Sequence, residues 1–170
     1  MKTTVITTSC VAFVLGLLST AHAQLIAGSP EDKAFTKIEQ EGNLDTKIGL
    51  LLDFEKQFPQ SKALVEVYKL LAGAYEQKND LVKTVEAGEK ALKIDPENVD
   101  VLLKVAVNLG KQGRDLDKAV AYAQKAVDTL AKNKTAPPPL QYTDAQWKQR
   151  NADLEPYAKQ ILAYVQRLKP

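Results

Sequence analysis

The segment Val65–Asn98, VEVYKLLAGAYEQKNDLVKTVEAGEKALKIDPEN, constrains the fold more than any other part of the chain. Tyr68, Leu71, Ala72 and Tyr75 recur at helical spacing and define one apolar face. Gln77-Lys78-Asn79-Asp80 supplies a tight turn, and Leu81, Val85, Gly88, Ala91 and Leu92 line the facing side of a second helix. Asp95-Pro96 closes the unit, because proline suits a helix's first turn and disfavours helix at the residue before it. One such pair cannot bury its own apolar side, so stacked copies are required.

The sequence contains those copies. After Asn98, Leu102, Val105, Ala106 and Leu109 occupy the places of Tyr68, Leu71, Ala72 and Tyr75. Ala119, Ala123 and Ala126 align with Thr84, Gly88 and Ala91 if the Lys111-Gln112-Gly113-Arg114 turn carries one extra residue. Small residues at these places let neighbouring helices approach closely. Upstream, Ser29-Pro30-Glu31-Asp32 reads as a capped helix start with proline and acids in the first turn. Gly42 ends that helix, and Asn43 caps a second one running from Leu44 to Phe58. Ser61 is the expected cap of the next helix. Residues 30–59 thus read as a divergent first unit, 65–98 as the clear one and 99–132 as a second copy.

These units resemble the tetratricopeptide repeat, whose pattern is an aromatic, Leu-Gly, Tyr, Ala, an aromatic, Ala and Pro. The residues that carry the resemblance are Tyr68, Leu71, Ala72, Tyr75, Ala91 and Pro96, with Ala106, Ala119 and Ala126 in the next copy. Ala72 stands for the usual glycine, Thr84 for alanine and Gly88 for an aromatic. The fold implied is all-α: a tetratricopeptide-like, right-handed helical-hairpin solenoid closed by a C-terminal capping helix.

The C-terminal part follows a different pattern. Ala136-Pro137-Pro138-Pro139, within 133–142, predicts a stiff extended spacer. Thr143-Asp144-Ala145-Gln146 is a capping-box sequence. Trp147, Asn151, Leu154, Ala158, Ile161, Val165 and Leu168 then keep one helical phase across Pro156, which predicts a single helix over 143–170. The sequence leaves open whether this helix is a cap or half of a further repeat. Tyr122, Tyr142, Trp147, Tyr157 and Tyr164 cluster in this third of the chain, and packing of the terminal helix is preferred to a partner-binding patch.

The first residues read as an export signal. Lys2 provides a basic start, Val11 to Leu18 an apolar run, and Ala21-His22-Ala23 a cleavage site. The run is too short for a permanent membrane helix, so no integral anchor is expected after cleavage. Residues preceding Cys10 do not form a lipobox. Cleavage after Ala23 would leave about 147 residues, one domain's worth, able to bury roughly 70% of its unfolded surface. The expected location is the periplasm or outside the cell.

Cleavage would also remove Cys10 and His22, the only cysteine and histidine. That excludes disulfides, thiolate chemistry, imidazole bases and the usual zinc sites. Ser61-Lys62 is explained by helix capping rather than nucleophilic catalysis. Asp80, Asp115, Asp117 and Asp128 lack the spacing of an EF-hand loop. No catalytic residue, cofactor or metal is therefore expected. The formal net charge of +2 comes from interleaved bases and acids, as in Arg114-Asp115-Leu116-Asp117-Lys118, which argues against a nucleic-acid surface.

What remains is binding. The resemblance implies that the first helix of each pair lines a concave groove. The outward positions it implies are Glu66, Lys69, Gly73 and Glu76, then Leu103, Lys104, Val107 and Lys111. Lys69 matches a lysine of the chaperone-binding members that clamp a carboxylate, whereas Gly73 and Lys104 replace two of their asparagines. Lysines that simply keep the surface soluble are the preferred reading. The sequence therefore predicts a non-enzymatic exported adaptor with a protein or peptide partner. The alternative is an assembly component of an envelope complex that forms a homo-oligomer through the solenoid or its C-terminal helix.

Overall fold

A computed structural model describes residues 25–169, so the export signal read at 1–23 lies outside the described residues. The described chain is all-α: α1 (Pro30–Gln40), α2 (Leu44–Gln57), α3 (Leu64–Gln77), α4 (Leu81–Ile94), α5 (Val99–Gln112), α6 (Leu116–Asn133) and α7 (Asp144–Arg167). Each helix packs on its neighbour in sequence, and α7 packs on both α6 and α5. The result is a solenoid of stacked helix pairs with one continuous core.

Local chemistry sets most boundaries. Ser29, Asn43, Asp80, Asn98 and Thr143 each accept a bond from a backbone N–H of the first turn that follows. Thr143 and Gln146 complete the capping box. Gly113 ends α5 in the left-handed conformation, φ 62°, which costs glycine no Cβ clash. Ser61 behaves differently from expectation. Its Oγ accepts from Ala63 N at 2.9 Å in the turn just before the helix, and α3 begins at Leu64 without a side-chain cap. Pro156 lies inside α7, which runs unbroken through it.

The core explains the departures from the repeat pattern. Phe35 and Phe54 meet edge to face at 5.9 Å and anchor the divergent first pair. Thr84, where alanine is usual, is fully buried, and its Oγ1 donates to Asp80 O at 2.8 Å. That bond removes the cost of burying a hydroxyl. Gly88 carries no side chain because α5 occupies the space: a Cβ there would overlap Val105 Cγ2. Gly110 serves the α5–α7 contact in the same way, since its added Cβ would lie 2.9 Å from Tyr164 Cε1.

Of the residues that carry the repeat pattern, Tyr68, Leu71, Ala72, Ala91, Ala106, Ala119 and Ala126 are buried. Tyr75 is half-buried and Pro96 exposed.

Carboxylates tie successive units together. Tyr68 Oη donates to Glu55 at 3.0 Å, and Lys90 Nζ reaches the same carboxylate at 2.7 Å. One unit later Glu89 takes the same part, accepting from Tyr122 at 3.3 Å and pairing with Lys118.

Candidate binding groove

A groove of about 450 Å³ runs across α3 between the α1–α2 corner and α5. Glu66, Lys69, Leu70, Gly73 and Gln77 of α3 form its middle. Glu41, Gly42, Leu44 and Lys47 form one side, and Asp100, Val101 and Lys104 the other. Helical spacing places Glu66, Lys69, Gly73 and Gln77 on one face of α3. Nothing lies within 4 Å of a Cβ added to Gly73, so the groove floor is bare backbone there.

The charged residues of the groove are largely paired within the chain. Lys69 bonds Glu66 at 2.6 Å. Asp100 pairs with Arg150 of α7, whose guanidinium also lies 5.4 Å from the Trp147 ring and 5.9 Å from the Tyr142 ring. Lys104 pairs with Glu76, and the other Glu76 oxygen accepts from Asn108 Nδ2 at 2.9 Å. Burial pushes the Glu76 carboxyl up. The bonds from Lys104 and Asn108, with the charges of Lys104 and Lys111, outweigh it and hold the group below the usual carboxylate range.

The structure therefore brings Glu66, Lys69, Gly73 and Lys104 together in the groove, with Glu76 beside them. Lys111 is exposed and acts on Glu76 through its charge. Two expected positions differ. Leu103 is only 2% exposed and belongs to the core, not the groove. It shares a face of α5 with Gly110, two turns on, and α7 packs against that face. Val107, close to the same face, is half-buried against the core.

No protein-family model and no curated protein matches the sequence.

Sequence reasoning missed the contribution of Glu41, Gly42, Leu44 and Lys47, because only the stacking of pairs carries that corner to α3. It also missed Asn108, which is fully buried. A lone amide inside the apolar run Val105–Leu109 was the available signal. Gln112 extends the same network, donating to Leu81 O at 3.0 Å and Asn108 O at 3.2 Å.

The terminal aromatics divide. Tyr142 and Trp147 meet at 5.3 Å with their rings tilted by 43°, and Tyr164 covers Gly110, while Tyr157 is 49% exposed. Among the described residues no His, Cys, Asp and Glu group is placed to hold a metal ion. Nor is any helix among them long and apolar enough to cross a membrane.

Proposed function

We propose that this chain is an exported, tetratricopeptide-like adaptor, without catalytic activity, that holds a segment of another protein in the groove across α3. The observation that carries this reading is the bare floor at Gly73, open above its Cα and bordered by Leu44 and Leu70. A helix face built to pack would have filled that gap. An apolar side chain of a bound segment seats there, while the paired charges at the rim keep the groove from favouring strongly charged ligands. The export reading rests on residues 1–23 and places the adaptor in the periplasm or outside the cell. Self-association through α7 has less support, since Lys148, Asp153, Lys159, Gln160 and Gln166 make its outer side polar and exposed.

A photo-crosslinking residue at Gln77 tests the reading in the native envelope. Discrete adducts are expected there and not from the same residue at Lys125 on α6. Filling the floor with Gly73→Leu, a substitution that favours helix, abolishes them. Adducts that survive Gly73→Leu, or that form equally from Lys125, count against the groove.

A further inference from the structure

A second cleft opens between α4 and α6, on residues that the groove across α3 does not use. Its volume is about 240 Å³. Pockets for drug-sized ligands start at about 300 Å³, so this one suits a single ring or a short chain rather than a polypeptide. Buried Leu92 and Leu102 line its apolar part, together with Pro96 and Tyr122. Lys93, Lys118 and Lys125 border it with a single acid, Glu89, which leaves two positive charges unbalanced.

The two unit junctions differ at these lysines. At the first, Lys90 bonds Glu55 at 2.7 Å, beside the Tyr68 bond to the same carboxylate. At the second, Lys125 holds the place of Lys90, because Ala126 aligns with Ala91, and Glu89 holds the place of Glu55. The corresponding pair is not made there: Glu89 is taken by Lys118 and Tyr122 instead. Lys125 also acts through its charge on Glu97, but Glu97 is bonded by Lys132 at 2.9 Å. Among the described residues, Lys93 and Lys125 thus border the cleft without an ion-pair partner. Lysines that only solvate a helix need no apolar cleft between them.

We infer that this cleft binds a small phosphate monoester, with Lys93 and Lys125 holding the phosphate and Leu92, Leu102 and Pro96 receiving its apolar body. A phosphate monoester carries a charge of about −1.5 to −2 at neutral pH, which matches the surplus at the cleft. Ammonium groups on flexible stems suit it as point charges and donors. A carboxylate of the same body supplies only half the charge, and inorganic phosphate lacks the body. The site is independent of the groove reading, since the two clefts share no lining residue.

Phenyl phosphate is the probe, titrated into the purified protein at constant ionic strength while leucine methyl resonances are followed. Leu92 and Leu102 shift saturably, and Leu70 of the groove does not. Benzoate and inorganic phosphate each bind about tenfold more weakly, for want of the second charge and of the ring. Lys93→Gln and Lys125→Gln each raise the Kd about tenfold, and together they abolish saturation. Both side chains are exposed, so these variants keep the fold. Glu89→Gln frees Lys118 and tightens binding. An absent shift at Leu92, a shift at Leu70 in its place, equal binding of benzoate or inorganic phosphate, or a response that survives loss of both lysines overturns the inference.

Vesicles of phosphatidylcholine with and without phosphatidic acid then distinguish the source of the ester. Sedimentation with the acid-containing vesicles, lost in the double lysine variant, makes it a lipid headgroup. Phenyl phosphate binding without sedimentation makes it a soluble ester. Either result supports the same chemistry in the cleft.

Discussion

Gly88 of α4 lets Val105 of α5 lie where its own side chain would stand. A Cβ on Gly88 would overlap Val105 Cγ2, and Val105 is fully buried with a stiff β-branched rotamer. The aromatic of the repeat pattern has no room here, and helix–helix contact takes its place.

Gly88→Ala measures that fit. Helix propensity favours alanine by about 1 kcal/mol, whereas overpacking a core costs about 1–3 kcal/mol. Val105 cannot rotate away, so the overlap wins and the substitution destabilises by about 1 kcal/mol. In a Val105→Ala background the overlap is gone and Gly88→Ala becomes stabilising. Urea unfolding of the four proteins gives the cycle, and a stabilised single variant would contradict the contact.

The C-terminal helix is part of the cooperative fold. Ile161 is buried at 4% exposure, and Ile161→Ala should cost about 2–5 kcal/mol. Trp147, the only tryptophan, reports on α7 while far-ultraviolet dichroism reports on all helices. The two transitions coincide because α7 is seated on Gly110 and on α6. An earlier Trp147 transition would mean that α7 melts separately.

Tyr68 gives an alkaline signature. Burial, then the bond to Glu55 and its negative charge, push the hydroxyl from 10.0 up to about 12. The folded value lies above the unfolded one. The stabilising contribution is thus complete below pH 10.0 and is lost as pH rises through about 12. Glu55→Gln lowers the midpoint without returning it to 10.0, since burial remains. Ring-carbon shifts of Tyr68 against pH follow this directly, and an unshifted midpoint in Glu55→Gln would rule out the carboxylate's part.

Glu155 gives an acid signature. Bonds from Lys134 and from Lys159 bring its carboxyl down from 4.5 to about 2. The contribution is present above pH 4.5 and is lost as pH falls towards about 2. Lys134 stands at the start of the proline-rich spacer, so this pair ties that start to α7. Lys134→Ala and Lys159→Ala each move the carboxyl midpoint back towards 4.5, and high salt does the same because the group is only partly buried. A midpoint insensitive to both substitutions would remove the link.

Much of this was legible in the chain. The 3–4 spacing of Tyr68, Leu71, Ala72 and Tyr75, the caps at Ser29, Asn43 and Thr143, and the unbroken phase across Pro156 all report local preferences, which act between residues a turn apart. Ser61 was misread because a serine followed by a helical pattern can cap at more than one register. Leu103 was misplaced because an outward position on an isolated pair becomes an inward one when a further helix stacks on it.

The sequence by itself determined an all-α chain of paired amphipathic helices, since periodicity and capping are properties of neighbouring residues. Tertiary structure decided which faces stayed open. Helix stacking hid Leu103, left Gly73 bare, and brought Glu41 and Lys47 to a groove that no single helix contains. It also delivered Glu76 of α3 to Lys104 and Asn108 of α5. Contacts across that sequence distance depend on how the pairs stack, because a side chain's neighbours in another helix are set by packing rather than by the chain's own pitch.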